Sequence, residues 1–418
     1  MASSDQILVG LDIGTSVIRV VVGKKENEGT APSIIGVGEA KASGIRRGVI
    51  VDIEEAVSSI SKALEKAERM TGIPTEHAVV SVGGAHVVSL ESHGVIAVAR
   101  ADGEISENDV VRVIDAAQAI QIPTNREILH VIPKDFTVDG QTGIKDPVGM
   151  TGIRLEVDAQ IIQASIPFIK NLTKCVIQAG IDIDDLVLAP LASAQAVLTR
   201  RQKELGVVLI ELGGGTTGIV AFEESELLHT NILAVGADHI TNDIAIGLRT
   251  SVDVAETVKL QYGRAVLPAA SGKKDEVINL SKIDKNEEGQ ISRNHLTDII
   301  SARLEEIFAM VNKELKTVGR DGQLPAGALL TGGGAKIPGI VELAKKELRL
   351  PVQIGYPLNI STIIDRVDDP AYATAVGLVL WAAEYLETSR SGMGRFASNI
   401  LQNASIEKIR KFFKQFLP

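Results

Sequence analysis

The sequence predicts an α/β protein of two related domains, with a small α+β unit inserted into the first and an amphipathic helix at the C-terminus. Three observations carry this expectation. Strand-like and helix-like stretches alternate along most of the chain, as in "ILVGLDIGTSVIRVVVG", "DIEEAVSSISKALEKAERMTG" and "HAVVSVGG", the rhythm of α/β folds. A strand–glycine–strand unit occurs twice, at Val9–Val22 and again at Leu209–Phe222. From about residue 85 to 164 the rhythm gives way to short alternating strands around one helix.

A chain of 418 residues exceeds what one ordinary core organises. Hydrophobic residues make up 45% but aromatics only 3%, so the core must rest on Val, Ile, Leu and Ala. Forty-three basic against 53 acidic residues leave a net charge of −10, which excludes a whole-surface nucleic-acid binder. The single Cys175 rules out an intramolecular disulfide. Its helical setting, "FIKNLTKCVIQAG", has no adjoining histidine and predicts a buried thiol. "MASSDQ" leads straight into the first strand, so no secretion signal is expected, and the longest apolar run, near "AVGLVLWAA", is too short for a membrane span. A cytoplasmic protein is expected.

In chain order, "DIEEAVSSISKALEKAERMTG" predicts a helix that Asp52 and Glu55 start and Gly72 stops. The segment 85–164 contributes the strands "VVSLES", "GVIAVAR", "EILHVIPKDFTVD" and "RLEVDAQIIQAS" around the helix "SENDVVRVIDAAQAI". Helices follow at "IPFIKNLTKCVIQAG" and at "APLASAQAVLTRRQKELG". The second strand–glycine–strand unit comes next, then a polar stretch predicted to form a small hairpin, "SGKKDEVINLSKIDKNEEGQISRNHL". A long helix carries Leu296, Ile299, Ile300, Leu304, Ile307, Phe308 and Val311 on one face. "AGALLTGGGAKIPGIVELAKKEL" is strand, glycine loop and helix, and "DPAYATAVGLVLWAAEYLE" is a last buried helix.

The repeated unit has a chemistry of its own. In both copies an acid near the strand end, Asp12 or Glu211, precedes glycines and hydroxyl residues: Gly14, Thr15 and Ser16 in one, Gly213, Gly214, Gly215, Thr216 and Thr217 in the other. Glycines let backbone N–H groups approach a polyphosphate, and hydroxyls add donors. An acid at the strand end holds Mg²⁺ through water. A single glycine hairpin is an ordinary turn; two acid-bearing copies, with a third glycine loop at Gly332, Gly333 and Gly334, form a phosphate clamp and a nucleoside seat. Neither GxxxxGK[ST] nor an early GxGxxG is present, which removes P-loop and Rossmann readings.

Five segments in this order, "GLDIGTS", "APLASAQAVL", "IELGGGTTGIV", "LTGGGAKIPG" and "YATAVGL", resemble the actin/Hsp70/sugar-kinase superfamily. Within it, "RRGVIVDIEEAVSSISKALEKAE", "ILHVIPKDFTVDGQTGIKDPVGMTGIRLEV" and "VGADHITNDIA" resemble the bacterial FtsA cell-division family, from about Ile7 to the C-terminus. The resemblance implies an actin-like fold of duplicated ribonuclease H-like domains. The first domain (IA) comprises 1–84, 165–205 and 358–387, with the inserted subdomain (IC) at 85–164. The second (IIA) comprises 206–245 and 313–357, with subdomain IIB at 246–312 as the seat of the FtsZ tail; a linker at 388–403 leads to a membrane-targeting helix at 404–418. It implies ATP and Mg²⁺ as ligands, with phosphate contacts at Gly14, Thr15, Ser16 and Gly213 to Thr216. Ribose and adenine would meet Glu256 and Lys259, facing Gly332–Gly334 and Lys336. Gln195 stands where actins carry a glutamine that orients the attacking water, and Asp12 and Glu211 take the Mg²⁺ side. The family pattern has Asp where this chain has Glu211, and one extra methylene exceeds the tolerance of a catalytic site. ATP binding with slow or undetectable turnover is therefore expected.

The last segment, "ASIEKIRKFFKQFLP", places Ile406, Ile409, Phe412, Phe413, Phe416 and Leu417 on one helical face and Lys408, Arg410, Lys411 and Lys414 on the other. This pattern predicts an in-plane anchor on anionic lipid. At about 1 kcal/mol per basic residue near the surface, one tail binds reversibly, so firm attachment requires several tails on one polymer. The resemblance implies a filament-forming adaptor that tethers the FtsZ ring to the inner face of the cytoplasmic membrane at the division site and recruits later divisome proteins. Arg303 and Glu306 are candidate contacts for the FtsZ tail. An actin-like pilus-assembly protein of the PilM type shares the nucleotide motifs but is expected to lack the terminal helix. A small-molecule kinase of the superfamily would need a catalytic Asp and a sugar pocket that the inserted unit does not offer.

Overall fold

The computed structural model describes residues 6–26, 30–267, 276–285, 287, 289–362 and 364–390. The segment 391–418, with every residue assigned above to the lipid-binding helix, lies outside the described residues.

Two sheets repeat one design. In the first, the strand Gln6–Ile13 pairs antiparallel with Val17–Lys25, which pairs antiparallel with Ser33–Lys41. On its other side Gln6–Ile13 runs parallel to His77–Val82, and that strand runs parallel to Asp182–Leu188. In the second sheet Val207–Leu212, Thr217–Glu223 and Glu226–Leu233 form the antiparallel part, with Ala328–Thr331 and Val352–Ile354 as the parallel part. Five strands correspond in order and direction, so the duplicated sequence unit is the hairpin of a duplicated sheet. The register agrees as well: Asp12 faces Arg19 and Glu211 faces Gly218, each one residue before its strand ends. The central parallel strands are buried on both faces, which is why "VVLI" and "AVV" are unbroken apolar runs.

Local signals placed most helices. Asp52 caps Ile53–Thr71 by accepting from the Glu55 N–H at 3.0 Å, and Gly72 ends it at φ 70°. One expectation changes: "APLASAQAVLTRRQKELG" is two helices, Ala189–Val197 and Arg200–Leu205. Leu198 is extended, and Thr199 opens the second helix by a reciprocal cap with Gln202. The cap supplies hydrogen bonds that a continuous helix would have made internally.

The helices Ala189–Val197 and Ala373–Arg390 cross between the two sheets. Leu191, Ala192, Val376 and Leu380 from these helices pack in one cluster with Leu8 and Val21 of the first sheet and Leu209, Val220 and Phe222 of the second. The crossing is close, because a Cβ on Gly377 would fall 1.8 Å from the Ala192 carbonyl oxygen. Small residues in "LASA" and "ATAVG" thus bring two backbones into contact and join the domains through their core.

The inserted segment forms its own four-stranded sheet, Val88–Ala97, Arg154–Ser165, Arg126–Val138 and Gln141–Ile144 in spatial order. The helix Glu107–Gln118 covers one face, over a separate core that includes Val113, Ile114, Phe136, Leu155 and Val157. The region 246–312 behaves differently. Its helices Val252–Tyr262 and Arg293–Thr317 put Val254, Val258, Leu296, Ile300 and Ile307 into the same apolar cluster as Val208, Ile210 and Leu330 of the second sheet. The hairpin expected in its polar stretch joins Val277–Asn279 to Gln290–Ser292.

Candidate functional site

The two repeated turns meet across the domain boundary. In the second, the Gly213 N–H donates to the Thr216 carbonyl at 2.9 Å. In the first, Gly14 leaves no room for a side chain, since its Cβ would lie 2.5 Å from the Val17 carbonyl oxygen. A Cβ on Gly214 would overlap the Ser16 hydroxyl at 1.8 Å, and one on Gly215 would lie 2.8 Å from the Thr15 oxygen. Thr15 Oγ1 accepts from the Gly48 N–H at 2.9 Å. The helix Ala237–Leu248 begins on the second turn: its Ala237 and Asp238 N–H groups donate to the Gly213 and Gly214 carbonyls at 2.9 and 2.8 Å. The positive end of a helix therefore stands beside the glycines, where an anion is favoured.

The strand-end acids lie beneath the turns. Ser81 donates to Asp12 at 2.9 Å and accepts from the Ile13 N–H at 2.9 Å. Burial pushes the Asp12 carboxyl up from its ordinary range, against Arg19 and the Ser81 hydrogen bond. Burial, helped by the charge of Asp12, pushes Glu211 up to about 7, opposed by hydrogen bonds from Thr374 and Ser193. The two carboxylates are thus near enough to repel. Among the described residues no three His, Cys, Asp or Glu side chains group closely enough to cage a metal. A pair of acids suits an ion held largely by water and phosphate, as Mg²⁺ is.

The third glycine loop backs onto the same strand. Gly332, at φ 83°, would place a Cβ 2.6 Å from the Leu212 carbonyl oxygen, and Gly334 would place one 2.5 Å from Leu212 Cγ, whereas Gly333 faces open space. Lys259 is buried, and its ammonium donates to Thr241 Oγ1 at 2.7 Å and to the Ala237 carbonyl at 3.3 Å while pairing with Glu256 at 2.6 Å. Glu256 also accepts from Thr241 at 2.5 Å. The structure therefore gathers Gly213–Thr216, Gly332–Gly334, Glu256 and Lys259 around one strand end and one helix start. Lys336 pairs with Asp369.

Two sequence expectations meet different surroundings. Gln195 donates its amide to Glu384 at 2.5 Å. Glu384 lies ten residues beyond Thr374 on one helix, roughly 15 Å along its axis, so the Gln195 amide is engaged away from the Thr374 end of the helix, where Glu211 is held. Arg303 is engaged within the chain: it grips Asp243 through two nitrogens at 2.6 and 2.9 Å and reaches Glu306 at 2.5 Å. Sequence reading missed Ser81, Ser193, Asp238, Thr241 and Thr374. Only Asp238 and Thr241 carried a signal, the stretch "GADHIT" that follows the repeated hairpin after one further strand, Glu226–Leu233.

Facing glycine turns on duplicated sheets, joined by two crossing helices, define the actin-like class. The fold matches a chain of the PilM-PilN type IV pilus biogenesis complex over 90% of its length and 98% of that chain, with TM-score 0.65 and 16% identity. It also matches MreB5 of Spiroplasma citri bound to ADP over 93% of its length and 99% of that chain, with TM-score 0.56 and 15% identity. In sequence it is 38% identical to the cell division protein FtsA of Pseudomonas aeruginosa over 395 residues, 94% of this chain and 93% of the relative. It is 42% identical to the FtsA of Bacillus subtilis over 380 residues, 91% of this chain and 84% of the relative. The family model for cell division protein FtsA matches residues 208–377, and that for the SHS2 domain inserted in FtsA matches 84–163. The chain belongs to the FtsA family of cell-division proteins.

Proposed function

We propose that this chain binds ATP with Mg²⁺ between its two glycine turns, polymerises, and ties the FtsZ ring to the inner face of the cytoplasmic membrane at the division site. The observation that carries the nucleotide reading is the pair of equivalent turns from duplicated sheets abutting beside a helix N-terminus. Backbone donors of Gly14–Ser16 and Gly213–Thr216 hold the phosphates from opposite sides. Glu256 and Lys259 face the ribose and base, with Gly333 giving the open wall of the third loop. Asp12 and Glu211 stand on the metal side; bound Mg²⁺ supplies charge neutralisation for the phosphates. Turnover is slow, because Glu211 is engaged by Thr374 and Gln195 by Glu384.

Attachment to anionic lipid is assigned to the basic amphipathic tail at 404–418 and requires several tails on one polymer. Arg303 and Glu306 remain the proposed contacts for the FtsZ tail, and a partner carboxylate would compete with Asp243 for the guanidinium. Liposome pelleting with and without ATP, with and without an FtsZ tail peptide, tests the whole reading. Full-length protein co-sediments with anionic vesicles in an ATP-enhanced manner, and deletion of 404–418 abolishes it. Equal pelleting by the deletion variant would sink the membrane assignment, and absence of any nucleotide effect would sink the nucleotide assignment.

A further inference from the structure

Glu211 touches more of the molecule than a metal-side acid requires. Its strand belongs to the second sheet, yet its carboxylate accepts from Thr374 on Ala373–Arg390. The Thr374 hydroxyl accepts in turn from that of Ser193 on Ala189–Val197, at 2.9 Å. Ser193 and Thr374 are both buried, at 0% and 3% exposure, so water does not substitute for either hydroxyl. The meeting point adjoins the helix crossing at Gly377 and Ala192. Pro190 and Gly218 close the remaining side: a Cβ on Gly218 would lie 2.5 Å from Pro190 Cγ and 3.3 Å from Glu211 Oε2.

We propose that Glu211, Ser193 and Thr374 form a buried latch that fixes the second sheet to both connecting helices and holds the Glu211 carboxylate away from an attacking water. Ser193 and Thr374 are its positioning residues. The part that concerns water rests on the ATP reading of the cleft; the latch itself does not. Any swing of the two domains about the crossing slides the helices against the second sheet. A hydrogen bond tolerates little of that, since it weakens steeply once distance or angle leaves a narrow range. The carboxylate reaches the hydroxyl pair because glutamate has one methylene more than aspartate. Glu211→Asp withdraws it by about 1.5 Å, one carbon–carbon bond, and opens the latch. Glu211→Gln keeps an acceptor for the Thr374 hydroxyl and leaves the latch closed.

Hydrogen exchange without nucleotide, and the dissociation rate of a fluorescent ATP analogue, test this on the full chain with four variants: Glu211→Asp, Glu211→Gln, Thr374→Val and Thr374→Ser. Opening the latch accelerates exchange in 189–197 and 373–380 about fivefold, the factor that one net hydrogen bond is worth. Thr374→Val and Glu211→Asp show this acceleration, release nucleotide faster by a similar factor, and raise phosphate release. In hydrogen exchange, Thr374→Ser and Glu211→Gln behave as the parent does. Parental exchange in Thr374→Val overturns the latch, as does failure of Thr374→Ser to restore it. A rise spread equally into the inserted sheet also overturns it, because general loosening would then explain the result. If the exchange pattern holds while no variant and not the parent binds nucleotide, the ATP reading fails and the latch stands.

Discussion

Ser16 and Asp238 close the cleft between the domains: the Ser16 hydroxyl lies 3.0 and 2.9 Å from the two carboxylate oxygens of Asp238. The serine comes from the first glycine turn and the aspartate from the first turn of the helix that starts on the second. A helix N-terminus favours a carboxylate there, and the contact costs the phosphate site a nearby negative charge.

Replacing Asp238 by Asn keeps an acceptor for Ser16 and removes that charge. ATP should then bind about tenfold more tightly, equal to about 1.4 kcal/mol, with a larger gain when Mg²⁺ is chelated and the phosphates are not neutralised. Fluorescence titration with and without chelator measures both. Weaker binding would mean that the Asp238 charge itself serves the site.

Backbone contact at the helix crossing gives a stability prediction. Gly377→Ala inserts a Cβ 1.8 Å from the Ala192 carbonyl and forces the connecting helices apart, at a cost of about 3 kcal/mol or more. Gly333→Ala meets nothing within 4 Å and should change stability by less than about 0.5 kcal/mol. Urea denaturation of the two variants side by side decides it.

The acid pair predicts a pH dependence. Glu211 titrates at about 7 when folded, above the 4.5 of an ordinary glutamate, so the folded state binds the proton more tightly than the unfolded one. That contribution is fully present below about pH 4.5 and is lost as pH rises through about 7, for a total of about 3 kcal/mol. Asp12 is shifted in the same direction. In Glu211→Gln the Glu211 share of the slope disappears, which thermal midpoints between pH 4.5 and 8 will show. An unchanged slope would assign it elsewhere.

The ion pair on the long helix separates fold from partner. Arg303 and Asp243 are partly exposed, at 24% and 27% of their side chains, so Arg303→Ala should cost only about 1 kcal/mol. Binding of an FtsZ tail peptide should fall much further, by anisotropy. Unimpaired binding would remove Arg303 from the proposed interface.

Much of the architecture was legible because its causes are local. The repeated order of apolar strand, acid, glycine and hydroxyl depends on residues adjacent in the chain, and it led to two hairpins with matching register at Asp12 and Glu211. Asp52 and Gly72 marked helix ends for the same reason. The break at Leu198 was less visible, because Thr199 as a cap competes closely with a continuing helix.

What the sequence by itself determined was the duplicated clamp, the third glycine loop and the change of texture at the inserted unit, each written in short-range pattern. Only the tertiary structure decided what the clamp's side chains touch. Thr374 reaches Glu211 across 163 residues, and Ser193 meets Thr374 across 181; Ser16 finds Asp238 across 222. Hydrogen bonds between distant segments leave no periodicity in the chain, since each partner is an ordinary hydroxyl or acid until the packing of two small-residue helices brings it to a carboxylate. The same packing turned Gln195 toward Glu384, a partner 189 residues away in the chain.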